Sequence, residues 1–167
     1  MIRAAAVALG VACAACGTPW SAAAEPLAVG DAAPAGWSAD AGTADDALLV
    51  VWALRSADVV TCATAAREIR HVQRAYAGRV RAMALTSGRD SALVGSFFRA
   101  ERLARLSRRH LDEHAFQAET GGETAPTVYV VRDGVVVARL RADRQTLLAG
   151  RGADRLEFVL AALLAQA

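Results

Sequence analysis

"LLVVWALRSADVVTCATAAREI", residues 48 to 69, holds the reading on which the rest of the chain depends. Its first seven residues, Leu48 to Leu54, are apolar without a break. Such a run fits a strand buried on both faces, because a half-exposed strand would alternate apolar with polar residues. After a short loop the period changes. Cys62, Ala65, Ile69, Val72 and Tyr76 recur at helical spacing on one face. Asp58 supplies a carboxylate able to cap that helix, and Gly78 is placed to close it. A buried strand that feeds a helix through a tight loop is half of a parallel crossover, so the stretch predicts an α/β chain. It also sets a single thiol, Cys62, at the helix start, with Val59 three residues before it.

The chain has 167 residues, enough for one domain and a short appendage. Its apolar fraction of 54% suffices for a packed core, although much of it is alanine, which buries little area per residue. The net charge is only +2, and all nineteen basic residues are arginine. Basic and acidic residues alternate and form no stripe, which speaks against nucleic-acid binding.

Residues 1 to 24 stand apart. Met1-Ile-Arg gives a short positive start, Ala4 to Ala15 is small and apolar throughout, and Ser21-Ala22-Ala23-Ala24 precedes Glu25. These are the three parts of a secretory signal peptide with an A-x-A-like cleavage site, too short to span a bilayer permanently. The expected location is therefore outside the cytoplasm, in the periplasm or cell envelope. A lipoprotein signal is the competing reading, since Cys13 and Cys16 each follow an alanine at the end of the apolar run. Lipidation at Cys16 or Cys13 would anchor the chain to a membrane. Cleavage before Glu25 would instead leave Cys62 as the one cysteine of the mature protein, with no internal disulfide available to it.

Residues 25 to 47, rich in Ala, Gly, Asp and Pro, read as an extended lead-in, and residues 48 to 167 as the folded domain. "VRAMALT", 80 to 86, reads as a second strand. Apolar positions 93, 94, 97, 98, 103, 106 and 111 predict one or two helices filling 91 to 116, with "ETGGE" as a turn after them. "TVYVV" and "VVVARL" flank Arg132-Asp133-Gly134, a strong hairpin signal. A last helix carries Leu156, Val159, Leu160, Leu163 and Leu164 inward.

This arrangement resembles the thioredoxin-like fold, and more narrowly the TlpA- and ResA-type redoxins of the cell envelope, neighbours of the peroxiredoxins. Three stretches carry the resemblance: "LAVGDAAPAGW", the opening stretch from Leu48 to Ile69, and "TAPTVYVVRDGVVVARL". The resemblance implies an α/β three-layer sandwich, with a mixed central sheet and helices on both faces. It also implies a cis proline beside the active-site sulfur, at Pro126 between Ala125 and Thr127. A trans proline opening an edge strand is the alternative.

The cysteines depart from the family pattern. Its C-x-x-C becomes Val59-x-x-Cys62, and valine cannot attack a disulfide. If Trp52 is matched to the tryptophan that often precedes the motif, the window falls on Ser56 to Val59 and holds no cysteine. The peroxiredoxin frame P-x-x-x-T/S-x-x-C also fails, with Arg55 and Val59 at its Pro and Thr positions. Cys62 itself admits two readings. A helix start favours the thiolate, whereas an apolar stripe makes a cysteine a small core residue.

Two functions follow. In the first, Cys62 forms a mixed disulfide with a thiol-bearing envelope protein or peptide, with Pro126 beside it and Asp58 and Thr61 shaping the helix start. In the second, the chain is a redox-inactive binding module. There Val59, Thr61, Ala125 and Thr127 line a groove for an extended peptide, and Cys62 only packs. A one-cysteine peroxidase is disfavoured. No cofactor is implied. His110 and His114, four residues apart, are read as a solvated helix end and not as metal ligands. Arg99, Arg102, Arg105, Arg108 and Arg109 are read as a solvated face balanced by Glu101, Asp112 and Glu113.

Overall fold

The computed structural model describes residues 25–41, 47–124, 126–141 and 153–166. The run from Leu48 forms β1 (Leu48–Arg55), and every residue but the last is buried. Its alternation explains the unbroken apolar sequence. Leu48, Val50, Trp52 and Leu54 enter one core layer, while Leu49, Val51 and Ala53 enter another on the opposite face.

The remaining strands are β2 (Val80–Ser87), β3 (Ser107–His110), β4 (Thr127–Arg132) and β5 (Val135–Arg141). They form one mixed sheet in the order β3-β2-β1-β4-β5. β1 pairs in parallel with β2, and β2 with β3; β4 pairs antiparallel with β1 and β5. At the hairpin, Asp133 and Gly134 have φ of 52° and 75°, the two left-handed residues that a primed two-residue turn requires.

Among the described residues five helices flank the sheet: α1 (Ala35–Ala41), α2 (Ala63–Ala75), α3 (Ser91–Ala100), α4 (Glu113–Thr120) and α5 (Ala153–Leu164). Ile69 and Val72 of α2, Val94 and Phe98 of α3, and Leu156 and Leu160 of α5 pack on the Trp52 face. Trp37 of α1 and Phe116 of α4 pack on the other. The expected sandwich with helices on both faces is the one observed.

Three expectations are corrected. The lead-in is not simply extended. It contains α1, buries Trp37 completely, and reaches β5 through an Ala32–Val135 bridge, with Ala33 N donating to Gly134 O at 2.7 Å. Residues 91 to 116 are not one or two helices. α3 ends at Ala100, Arg102 turns the backbone at φ 58°, and β3 follows before α4. His110 therefore lies on a strand and His114 on a helix, so the pair shares no helix face. Finally, Asp58 does not cap α2, which begins at Ala63.

Candidate functional site

β1 ends at Arg55 and the chain enters a 3₁₀ turn, Ser56–Thr61, before α2. Asp58 folds back on this turn, its Oδ2 accepting from Arg55 N at 3.0 Å. Cys62 joins the turn to the helix. Its N–H donates to Val59 O at 3.3 Å, and its carbonyl accepts from Ala66 N at 2.9 Å as the first bond of α2. The Cys62 side chain has no exposure, and Val59 has 5%. Both belong to the apolar layer that contains Trp52, Phe98 and Val128.

Thr127, also without exposure, opens β4 opposite Ala53. That register carries the buried Pro126 alongside the end of β1, next to the 3₁₀ turn. The structure thus brings Val59, Cys62, Pro126 and Thr127 to one end of the sheet, all of them buried. Ala125, its peptide bond to Pro126, and the Thr61 side chain lie outside the described residues. The cis geometry expected at Pro126 therefore lies outside them too.

The segment leading to Pro126 is fixed by an ionic cluster that the sequence does not announce. Glu123 is 1% exposed and accepts from Arg139 Nε at 3.2 Å and from Arg139 Nη2. Arg141 approaches it at 3.6 Å, and Tyr129 Oη donates to it at 3.4 Å. Burial, joined by the Glu123 charge, pushes the Tyr129 phenol well above its ordinary range. Sequence reading treats Glu123 as part of a turn, because no local pattern distinguishes a buried glutamate from a solvated one.

A second polar group lies on the other side of the 3₁₀ turn. Glu113, at the start of α4, accepts from Arg55 Nε at 2.9 Å, Ser87 Oγ at 3.0 Å and Gln117 Nε2 at 3.1 Å. Partial burial works against its ionisation, but these hydrogen bonds and the Arg55 charge outweigh it and hold the carboxyl below its ordinary range. Gly88 (φ +107°) lets the loop after β2 approach the turn, since a Cβ there would fall 2.2 Å from Ser56 Oγ. Gly88, Arg89, His110, Leu111, Asp112 and Glu113 line an open cleft of about 570 Å³. It sits beyond the carboxyl ends of the parallel strands, where open α/β sheets commonly bind ligands.

Among the described residues, the buried Trp52 indole N–H has no hydrogen-bond partner, although its ring stacks on Phe98 with centroids 5.7 Å apart. Among the described residues, no group of three or more His, Cys, Asp or Glu side chains is arranged to hold a metal ion. No helix among them is long and apolar enough to cross a membrane.

No protein-family model matches the chain, and no curated protein matches its sequence. Solved structures do match. One is described as a thiol:disulfide interchange protein DsbE from Chlorobium tepidum. It is 17% identical, with a TM-score of 0.61 over 81% of this chain and 98% of its own. The thioredoxin domain of a Bacteroides vulgatus thiol-disulfide oxidoreductase gives 12% identity and a TM-score of 0.60 over 80% and 98%. A secreted Mycobacterium tuberculosis disulfide oxidoreductase, homologous to E. coli DsbE, gives 18% and 0.50 over 66% and 83%. At these identities the likeness is one of fold. The chain has a thioredoxin-like α/β fold, and these solved structures that share it are described as thiol-disulfide oxidoreductases or interchange proteins.

Proposed function

We propose that this chain is an exported, envelope-located thioredoxin-fold protein that works by binding and does not carry out dithiol-disulfide exchange. The complete burial of Cys62 carries this reading. A thiol must meet its partner disulfide in line at bonding distance, and a side chain without exposure offers no such approach. Val59, three residues earlier, offers no second thiol. Export rests on the signal-like residues 1 to 24, and the description of the Mycobacterium neighbour as secreted is in keeping with it. Val59, Pro126 and Thr127, expected to line a groove, are covered. The open cleft beside Glu113 is the better place for a ligand at this end of the sheet.

A second reading, mixed-disulfide exchange through Cys62 with a thiol-bearing partner, is favoured by one feature. Cys62 sits at the N-terminus of α2, where unpaired backbone N–H groups stabilise a thiolate. The test is alkylation of Cys62 in the folded mature protein across pH. Binding without thiol chemistry predicts labelling that proceeds only on unfolding, and a Cys62→Ala variant that stays functional at a stability cost of roughly 1 to 2 kcal/mol. Rapid native-state labelling with an acidic profile would give the second reading the protein's function.

A further inference from the structure

Between residues 91 and 111 the chain contains five arginines and one acidic residue, Glu101. Two of the carboxylates expected to balance them are engaged elsewhere: Asp112 caps α4 by accepting from Ala115 N at 2.7 Å, and Glu113 holds Arg55. Of the five, Arg109 is taken by Glu119, which also accepts from the Trp37 indole. Among the described residues, Arg99, Arg102, Arg105 and Arg108 make no ion pair. The expected self-balanced face is corrected to a basic patch.

Two of these cations converge. A Cβ built on Gly95 of α3 would lie 3.6 Å from Arg99 Nη1 and 3.8 Å from Arg108 Nη1, so both guanidinium groups reach the same point. Arg99 is steadied by Ser96 Oγ at 3.0 Å, and Arg108 lies over the Phe98 ring at 5.3 Å. Beneath them is a cleft of about 420 Å³ with Phe98, Leu103 and Leu106 on its floor. Like charges held together over an apolar floor are at their least favourable without an anion, and a carboxylate between two guanidiniums accepts charge-assisted hydrogen bonds from both. Arg108 belongs to β3, which among the described residues pairs with β2 alone, and the register turns the backbone groups of Arg108 and His110 away from β2. At the far end of this strand, His110 borders the cleft of Gly88 and Glu113.

We infer that the outer edge of β3 is a docking strip for an extended acidic segment of a partner protein. One carboxylate of the segment is held by Arg99 and Arg108, and an apolar side chain next to it enters the Phe98 cleft. The strand edge selects an extended backbone, the arginines select its charge, and the cleft fixes its register. The inference does not depend on whether Cys62 reacts.

Fluorescence anisotropy of the mature protein with a labelled peptide alternating glutamate and valine tests it. Binding is expected at low ionic strength and weakens as salt rises. Arg99→Ala with Arg108→Ala weakens it by at least roughly tenfold, and so does replacing the glutamates with glutamine. A double variant removing the same charge from α2, Arg67→Ala with Arg74→Ala, changes it little. Arg99→Glu alone, at an exposed position, must abolish binding with an unchanged melting temperature, which covers the case in which Arg108→Ala disturbs packing on Phe98. The proposal is overturned by no binding of the glutamate peptide, by equal binding of the glutamine peptide, or by an equal loss in the α2 variant. It is also overturned if phosphatidylglycerol vesicles, and not the peptide, bind in an Arg99- and Arg108-dependent way.

Discussion

Cys62 and Glu123 are both buried, and burial acts on them in opposite ways. For the thiol it removes access, and the group is tolerated because cysteine packs as a small apolar side chain. For the carboxylate it demands partners, which Arg139, Arg141 and Tyr129 supply. Removing the Glu123 charge strands Arg139 and loosens the segment that leads to Pro126. Glu123→Gln is expected to cost about 2 to 4 kcal/mol in chemical denaturation, less than a fully buried pair because Arg139 is partly exposed. The same variant lowers the pH at which Tyr129 ionises, since the Glu123 charge helps to hold that phenol up, and absorbance titration reads the change. In the sequence the 62-65-69-72 stripe offers burial as one of the two readings of Cys62, whereas nothing marks Glu123, whose partners lie on β4 and β5, later in the chain.

β3 is the element that sequence reading missed, and its residues explain why. "SRRH" has no apolar residue, and its side chains are exposed or half-buried. It is held by backbone pairing to β2 and not by a buried face, so no period-2 signal exists to be read. The leucines at 103, 106 and 111 fit a helical spacing by coincidence. Leu103 and Leu106 instead floor a cleft within a loop, after Leu103 N bonds back to Phe98 O and ends α3. β1 and the hairpin were legible because burial on both faces, or a turn dipeptide, writes itself into adjacent residues. α4 closes against the end of β1 through Glu113, which accepts from Arg55, and this contact has a pH signature. A carboxylate depressed in the folded state stabilises it above the ordinary glutamate value of about 4.3, and the contribution is lost as pH falls through the lower folded value. Wild type should therefore melt a few degrees above Glu113→Gln at neutral pH, a small effect because the Glu113 side chain is half exposed. Melting curves of the two proteins should converge as the solution is acidified below that range.

At the scale of the whole molecule, the sheet is sandwiched between two apolar layers built by alternate residues of the same strands. The layer around Trp52 is legible in α2 and α5; a second layer is expected from helices on both faces, but Trp37 as its anchor is not. Its anchoring helix lies in "AGWSADA", where alanine, glycine and aspartate carry no amphipathic pattern, and a single tryptophan does the packing. Trp37 is fully buried, sits 5.4 Å from the Tyr129 ring and donates to Glu119 at 3.0 Å. Trp37→Ala should cost about 3 to 5 kcal/mol, measured as a shifted denaturation midpoint with an unchanged slope. A cost below about 1 kcal/mol would mean that the lead-in is an accessory to the domain and not part of its core. The Ala32–Val135 bridge also has a consequence for the order of assembly. Gly30, Asp31 and Ala33 find their backbone partners in β5 and the turn before it, so the lead-in cannot close until both strands of the hairpin exist. The Trp37–Tyr129 ring contact closes with it, which makes seating of the lead-in a non-local step that a chain cut short of β5 could not complete.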